Sequence, residues 1–404
     1  MKRKYLLIII YSLALSISCT KHNKTIESSE SGRYVIDLDN IANNPDDSFV
    51  YSTFYKGIKT ILLETNDSCL VGEIKKMQVY DQFIFILDKN IAKSLLVFDR
   101  EGRFIRKIGG IGGGPGEYVE PTDFTLDTEN RTIFVLDKHT KRINKYDLIT
   151  GNFLYSINLQ NSLNSEHVEI IGGKLYADAY FYMHSEDNYL LSCIHDPSGV
   201  EEANYLNVMK YNKGFSNKNI NFGKVFHLLE NGNAVFAQPF MDHIIEINSD
   251  SIFTLIDIKS KNVLTLENIE AGMEKQTFMS EIMRFDKYFF IMSFIEHKNQ
   301  ILFECMKGFN FIKILFNKDT HEVRIFKNIR DDLLISDEGT SGYPIPMVGC
   351  YYSDGVYYYV PQMSVPQIKE CANNGIFSPN LDRLEDLKNL KEDANTILFY
   401  YEFK

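Results

Sequence analysis

The run Phe85-Ile86-Leu87-Asp88-Lys89, followed by Leu96-Val97-Phe98-Asp99-Arg100-Glu101-Gly102-Arg103-Phe104-Ile105-Arg106-Lys107-Ile108, decides the fold, because the chain repeats it. The second copy reads Phe134-Val135-Leu136-Asp137-Lys138, then Lys145-Tyr146-Asp147-Leu148-Ile149-Thr150-Gly151-Asn152-Phe153-Leu154-Tyr155-Ser156-Ile157. Asp88 and Asp137 stand 49 positions apart, Asp99 and Asp147 48. Each copy is a strand with alternating apolar residues, an Asp-Lys turn, a second strand, and a tight turn ending in Gly, which joins antiparallel strands. A period near 48 built of short strands is the signature of a propeller blade.

Weaker copies follow at Ile194-His195-Asp196-Pro197-Ser198-Gly199, at Ile245-Glu246-Ile247-Asn248-Ser249-Asp250 and at Ile314-Leu315-Phe316-Asn317-Lys318-Asp319, each an apolar strand entering an Asx-containing turn. Counting from Leu70 gives blades near 70–110, 117–160, 167–212, 222–258, 284–330 and 343–404. The expected fold is therefore all-β: a six-bladed β-propeller of four-stranded antiparallel blades with short helical insertions. One insertion is placed at Leu266 to Ile282. Another is placed at Ser378 to Asp393, with Ser378 capping, Pro379 in the first turn, and Leu381, Leu384 and Leu387 on the buried side. The early strand Ile58–Glu64 and the final strand Thr396–Lys404 suit each other as partners, and their pairing would close the ring.

The chain has 404 residues, 43 basic against 54 acidic, for a formal net charge of −11. That balance argues against nucleic acid as a partner. Hydrophobic residues make up 44%, with 29 Phe and 24 Tyr but no Trp, which supplies a folded core and excludes a disordered chain. No apolar run reaches the roughly 18 residues of a spanning helix.

The N-terminus has its own logic. Met1-Lys2-Arg3-Lys4 is a basic n-region, Tyr5 to Leu15 a short apolar h-region, and Ser16-Ile17-Ser18 precede Cys19. This is an export signal. A single Cys at that point resembles a bacterial lipobox, with Cys19 as the lipid attachment, although Ser16 replaces the usual Leu; ordinary secretion with Cys19 incidental is the alternative. The expected division is 1–18 signal peptide, 19–57 tether and lead-in, and 58–404 propeller. Cleavage removes three basic residues and leaves a formal charge of −14, so attachment to an anionic membrane would rest on the lipid alone. The remaining Cys69, Cys193, Cys305, Cys350 and Cys371 contain no CxxC and read as buried thiols.

The segment Lys107-Ile108-Gly109-Gly110-Ile111-Gly112-Gly113-Gly114-Pro115-Gly116-Glu117-Tyr118 and the ending Leu390-Lys391-Glu392-Asp393-Ala394-Asn395-Thr396-Ile397-Leu398 resemble the six-bladed β-propeller lipoproteins abundant in Bacteroidota, relatives of NHL-repeat propellers. The resemblance spans roughly residues 58–404. It implies the fold and says little of activity.

Three stretches invite chemistry. The glycine-rich loop offers backbone amides that cradle anions elsewhere, but its spacing fits neither GxxxxGK[ST] nor GxGxxG. Gly112, Gly114, Pro115, Gly116, Glu117 and Tyr118 therefore read as a structural turn between blades. His167-Val168-Glu169 is the one close His/carboxylate pair that alternation points to one side; a metal role would need partners from other blades. The aromatic clusters Tyr180-Phe181-Tyr182, Tyr351-Tyr352 and Tyr357-Tyr358-Tyr359 suit packing between blades, while Tyr180, Tyr182, Tyr352 and Tyr358 are candidates for stacking on sugar rings.

No catalytic motif and no cofactor are evident. The sequence thus points to a cell-envelope lipoprotein, in the outer membrane, that acts as a ligand-binding or protein-interaction propeller with a glycan or an envelope protein as partner. The rival is a channel-centred metal-dependent hydrolase or lyase of the NHL-like type, and a third reading is a purely structural component. Periplasmic and surface display both stay open, and the lack of an acidic tract after Cys19 leans to the periplasmic side.

Overall fold

The computed structural model describes residues 33–41, 48–159, 164–179, 188–211, 224–238, 241–263, 287–308, 310–336, 347–353, 356–361 and 363–404, with the backbone alone at 289–292 and 347–353. Six small four-stranded antiparallel blades stand in a ring. Blade 1 is Ile74–Tyr80, Phe83–Asp88, Ser94–Asp99 and Phe104–Ile108; blade 2 is Pro121–Asp127, Thr132–Asp137, Arg142–Asp147 and Phe153–Asn158. Blade 3 is Val168–Ile171, Lys174–Asp178, Tyr189–Ile194 and Glu201–Asn207; blade 4 is Phe226–Leu228, Ala234–Phe236, His243–Ile247 and Ile252–Lys259. Blade 5 is Tyr288–His297, Gln300–Lys307, Asn310–Asn317 and Val323–Phe326, and blade 6 is Met347–Ser353, Val356–Pro361, Ile397–Phe403 and Tyr55–Leu62. The first strand of each blade lies innermost, facing the axis.

The repeat turns work as their residue types dictate. Asp99 Oδ1 accepts from the amides of Glu101 and Arg103 at 3.1 and 2.8 Å, and Asp147 Oδ1 from Ile149 and Thr150 at 3.0 and 2.7 Å. Asn248 and Asn317 repeat the arrangement in blades 4 and 5. A side-chain carbonyl that satisfies two turn amides replaces the water they would otherwise need. Gly102 has φ +85°, and the Leu62 carbonyl occupies the space where its Cβ would stand. Only glycine lets this turn press against the last strand of blade 6.

Closure follows the expected pairing. Tyr55–Leu62 runs antiparallel to Ile397–Phe403, from Ile397 opposite Leu62 to Phe403 opposite Tyr55. Upstream of that strand, Tyr34–Asp37 and Ser48–Val50 also form strands that join the ring. Tyr34–Asp37 adds a fifth, parallel strand to blade 4 along Ile256–Lys259, and Ser48–Val50 pairs in parallel with Asn328–Arg330 just after blade 5. Tyr34–Asp37, Ser48–Val50 and Tyr55–Leu62 thus engage in turn blade 4, the strand that follows blade 5, and blade 6. Phe49, Tyr51 and Tyr55 are fully buried there, Phe49 stacked on Phe54 at 4.1 Å between ring centroids. Lys313, buried and paired with Glu304, points its ammonium at the rings of Phe49 and Tyr51 at 5.2 and 5.6 Å.

The helical insertions differ from expectation. Ser378 to Asp393 does not form one helix: the Ser378 amide bonds to the Leu334 carbonyl at 2.8 Å, and Arg383 takes a left-handed conformation, so only Leu384–Lys388 is helical. Leu381 and Leu387 are nonetheless buried against blade 6. The longer helix is Val365–Asn373, started by a capping box in which the Gln367 side chain accepts from the Ser364 amide at 2.9 Å. Its Val365, Ile368, Cys371 and Ala372 face inward. The insertion placed at Leu266 to Ile282 lies outside the described residues. Cys69, Cys193, Cys305 and Cys371 are free, buried thiols, and burial pushes Cys305 up to about 12.

Truncating Phe49 to Ala, which empties a fully buried ring site in the N-terminal arm, is expected to destabilise the protein by about 3–5 kcal/mol. Chemical denaturation followed by circular dichroism measures it; a loss under 1 kcal/mol would mean that the arm contributes little.

Candidate functional site

Around the axis the innermost strands carry charge where a core would carry carbon. Lys76, on the inner strand of blade 1, directs its ammonium to Asp123 Oδ2 of blade 2 at 3.2 Å, Glu169 Oε2 of blade 3 at 3.1 Å and the Val168 carbonyl at 3.3 Å. Asp123 Oδ2 also accepts from the Val168 amide at 2.8 Å. Glu169 Oε1 takes the Thr125 hydroxyl and the Gln78 side-chain amide, the latter at 3.2 Å. Asp123 and Glu169 are 1% exposed, so a solvated surface pair is excluded. Burial alone would lower the Lys76 ammonium; the charges of Asp123 and Glu169 and the bonds to both outweigh it, and the net direction is upward. Burial raises Glu169, with Asp123 adding to the rise and Lys76 and Thr125 opposing it.

All six blades contribute to an axial cavity beside this cluster. Its wall includes Lys76, Met77 and Gln78 of blade 1, Leu126 of blade 2, Glu169 of blade 3, Phe226 and His227 of blade 4, Ser293 and Phe294 of blade 5 and Tyr357 of blade 6. Gln78 Oε1 and His227 Nε2, both buried on that wall, have no hydrogen-bond partner among the described residues. The amide of Gln78 cannot be turned around, because a carboxylate accepts and never donates, so its NH₂ must face Glu169 and its oxygen is the atom left over. Burial, with the positive charge of Lys224 and a lesser effect of His167, lowers His227 to about 3, so the ring is neutral near pH 7.

The pair that alternation singled out divides its work. Glu169 joins the axial cluster, whereas His167 Nδ1 meets Asp178 Oδ2 at 2.7 Å, and its Nε2 has no partner among the described residues. Asp178 Oδ1 accepts the amides of Glu166 and His167 at 2.9 and 2.8 Å. Asp178 ends the second strand of blade 3 as Asp88 and Asp137 end those of blades 1 and 2, and all three tie back to the segment entering their own blade. The text Leu175-Tyr176-Ala177-Asp178 was thus a third copy of the repeat and a visible signal.

The glycine-rich loop turns its polar groups on itself. Glu117 Oε2 accepts from the Gly114 amide at 2.7 Å and the Glu117 amide donates to the Gly114 carbonyl at 3.0 Å, with Gly112 packed against the same carboxylate and Pro115 in the turn between. A carboxylate thus already holds an amide that an anion would need. Tyr118 is buried between blades 1 and 2, donates to the Ile108 carbonyl at 2.7 Å, and is pushed by burial up to about 12. Gly109 at φ +67° and Gly116 at φ +74° shape the ends of the loop.

Of the stacking candidates, Tyr358 is 2% exposed in the seam between blades 6 and 1, where its hydroxyl accepts from Arg100 Nη1 at 2.7 Å. Tyr352 pairs with Tyr357 in the blade 6 backbone. Tyr180 and Tyr182, like Cys19, lie outside the described residues. Among those residues no group of three or more His, Cys, Asp or Glu side chains is placed to hold a metal ion.

Ring, closure and polar axis together define a six-bladed β-propeller with an internal cavity. The chain belongs to the family DUF4934, a domain of unknown function, matched over residues 33–402. Among solved structures it is similar to a protein of Bacteroides fragilis NCTC 9343 designated as exported, at 18% identity and a TM-score of 0.70, covering 92% of this chain and 99% of that one. It also matches a DUF4221-family member from Bacteroides vulgatus at 12% identity and a TM-score of 0.49, covering 87% and 97%. No curated protein matches the chain.

Two outcomes test the axis. Replacing Lys76 with Met strands two buried carboxylates and is expected to cost about 3–5 kcal/mol. His227 has a folded value near 3 against about 6.5 unfolded. Between them the unfolded chain binds the extra proton, so stability falls as pH drops from 6.5 towards 3. His227→Phe is expected to lose less stability than the parent between pH 7 and pH 4; equal losses in the two proteins would show that this ring does not govern the acid limb.

Proposed function

We propose that the chain is an exported lipoprotein of the cell envelope, anchored in the outer membrane through Cys19, that binds a small ligand in the axial cavity of its propeller. The observation that carries the binding role is that Gln78 Oε1 and His227 Nε2, buried on a wall built by six blades, have no hydrogen-bond partner among the described residues. A buried polar atom without a partner costs about 1–3 kcal/mol, which a ligand able to satisfy it would recover. Export is supported by the basic and apolar segments before Cys19 and by the similar Bacteroides fragilis protein designated as exported. No helix among the described residues is long and apolar enough to cross a membrane.

The rival metal-dependent hydrolase or lyase finds less support in the donor set. Asp123 and Glu169, the carboxylates nearest the axis, already hold a cation, the Lys76 ammonium. His167 with Asp178 would supply one well-oriented ligand. Protein interaction through the loops at either end of the ring is the remaining alternative, and a glycan or an envelope protein is the partner in view.

Two measurements check the reading. Cys19→Ala is expected to abolish incorporation of labelled fatty acid and to release the protein from the membrane fraction; continued labelling would reject the anchor. In a thermal-shift screen of small molecules, hits that raise the melting temperature are expected to disappear in Leu126→Trp, which fills the cavity. Hits that survive it would place the ligand elsewhere.

A further inference from the structure

We infer that the ligand of the axial cavity is an uncharged, hydroxyl-rich molecule, a polyol or the terminal residue of a neutral glycan, with one hydroxyl donating to Gln78 Oε1 and another bonded to His227 Nε2. This rests on the cavity being the ligand site. Charge complementarity decides the class. The three N–H donors of Lys76 are used on Asp123, Glu169 and the Val168 carbonyl, so the ammonium has none left for an anion. The oxygens of Glu169 are engaged by Lys76, Gln78 and Thr125, and a cation would also meet the positive charges of Lys76 and Lys224 on the same wall. An anion would in turn sit beside the buried Glu169.

The unpartnered atoms ask for something else. Gln78 Oε1 accepts and therefore needs a donor, which excludes a ligand offering only carbonyl or ether oxygens. His227, neutral on the blade 4 inner strand, can donate to a hydroxyl or accept from one according to its tautomer, and a hydroxyl suits both. Met77, Leu126, Phe226 and Phe294 give part of the wall an apolar surface, suited to the C–H face of a sugar or cyclitol ring, and the hydroxyls of Thr128 and Ser293 stand on the same wall. A molecule that presents hydroxyls along one edge and carbon on a face meets both the polar and the apolar parts of this wall.

Isothermal titration of the full-length chain with matched probes tests the inference: myo-inositol, glucose and galactose against glucuronate, glucosamine and glucose 6-phosphate, plus a neutral oligosaccharide ending in each sugar. At least one neutral probe is expected to bind about tenfold or more tightly than its charged counterparts. His227→Phe and Gln78→Met are each expected to weaken it about tenfold, the loss of one hydrogen bond to a buried partner, while unfolding cooperatively. An oligosaccharide tighter than its monosaccharide would assign a glycan end, and equal affinities a free polyol. A charged probe that binds as tightly, and is lost in Leu126→Trp, overturns the ligand class and leaves the cavity as the site. Neutral binding that persists in Leu126→Trp overturns the cavity itself, and failure of every neutral probe overturns the class.

Discussion

A ring of blades holds only if its two ends meet, and here they meet in one ladder. Tyr55–Leu62 supplies the outermost strand of a blade whose other three strands come from the last part of the chain. Each seam holds an apolar cluster, which by itself tolerates sliding; the closing ladder is directional and tolerates none. Gly102 of blade 1 bears directly on that strand, and Glu64 just beyond it donates its amide to the Gly102 carbonyl at 2.7 Å. Asn395 adds a side-chain knot, bonding the Val71 amide and the Cys69 carbonyl across the same seam. Blade 1 is thus keyed to blade 6 through backbone as well as through carbon.

The two halves of the ring are braced differently. Blades 1, 2 and 3 are tied at the centre by Lys76, Asp123 and Glu169. Blades 4, 5 and 6 are tied at the rim by the arm from Tyr34 to Leu62. An axial tie consumes polar groups that would otherwise face the cavity, whereas a rim tie leaves the axis alone. On the cavity wall, Gln78 Oε1 stands at the edge of the ionic cluster and His227 Nε2 lies in the half braced from outside, and neither has a hydrogen-bond partner among the described residues. The chemistry of the cavity follows from where the fold placed its braces.

The fold was largely legible and the site only partly so, for physical reasons that differ. Asp99, Asp147, Asn248 and Asn317 announce their turns locally, since an Asx side chain reaches amides two to four residues ahead. The closing pair could be read because two strands lacked neighbours. Lys76 and Asp123 could not be read, because in a strand's text a charge at the axis looks like a charge in solvent, and alternation does not distinguish the two. Their meeting with Glu169 joins positions 47 and 93 residues apart, which only the ring brings together. The strand Tyr34–Asp37 was missed for the same reason, its partner lying in blade 4. Asp178 and the capping box at Ser364 were within reach, and reading the third repeat through its second strand would have found the first of them.

The arm also sets an order in time. Its strand Tyr55–Leu62 is synthesised well before Ile397–Phe403, the strand it pairs with. Until that strand exists, blade 6 lacks the edge that receives the arm, and the ring stays open however well the middle blades have formed.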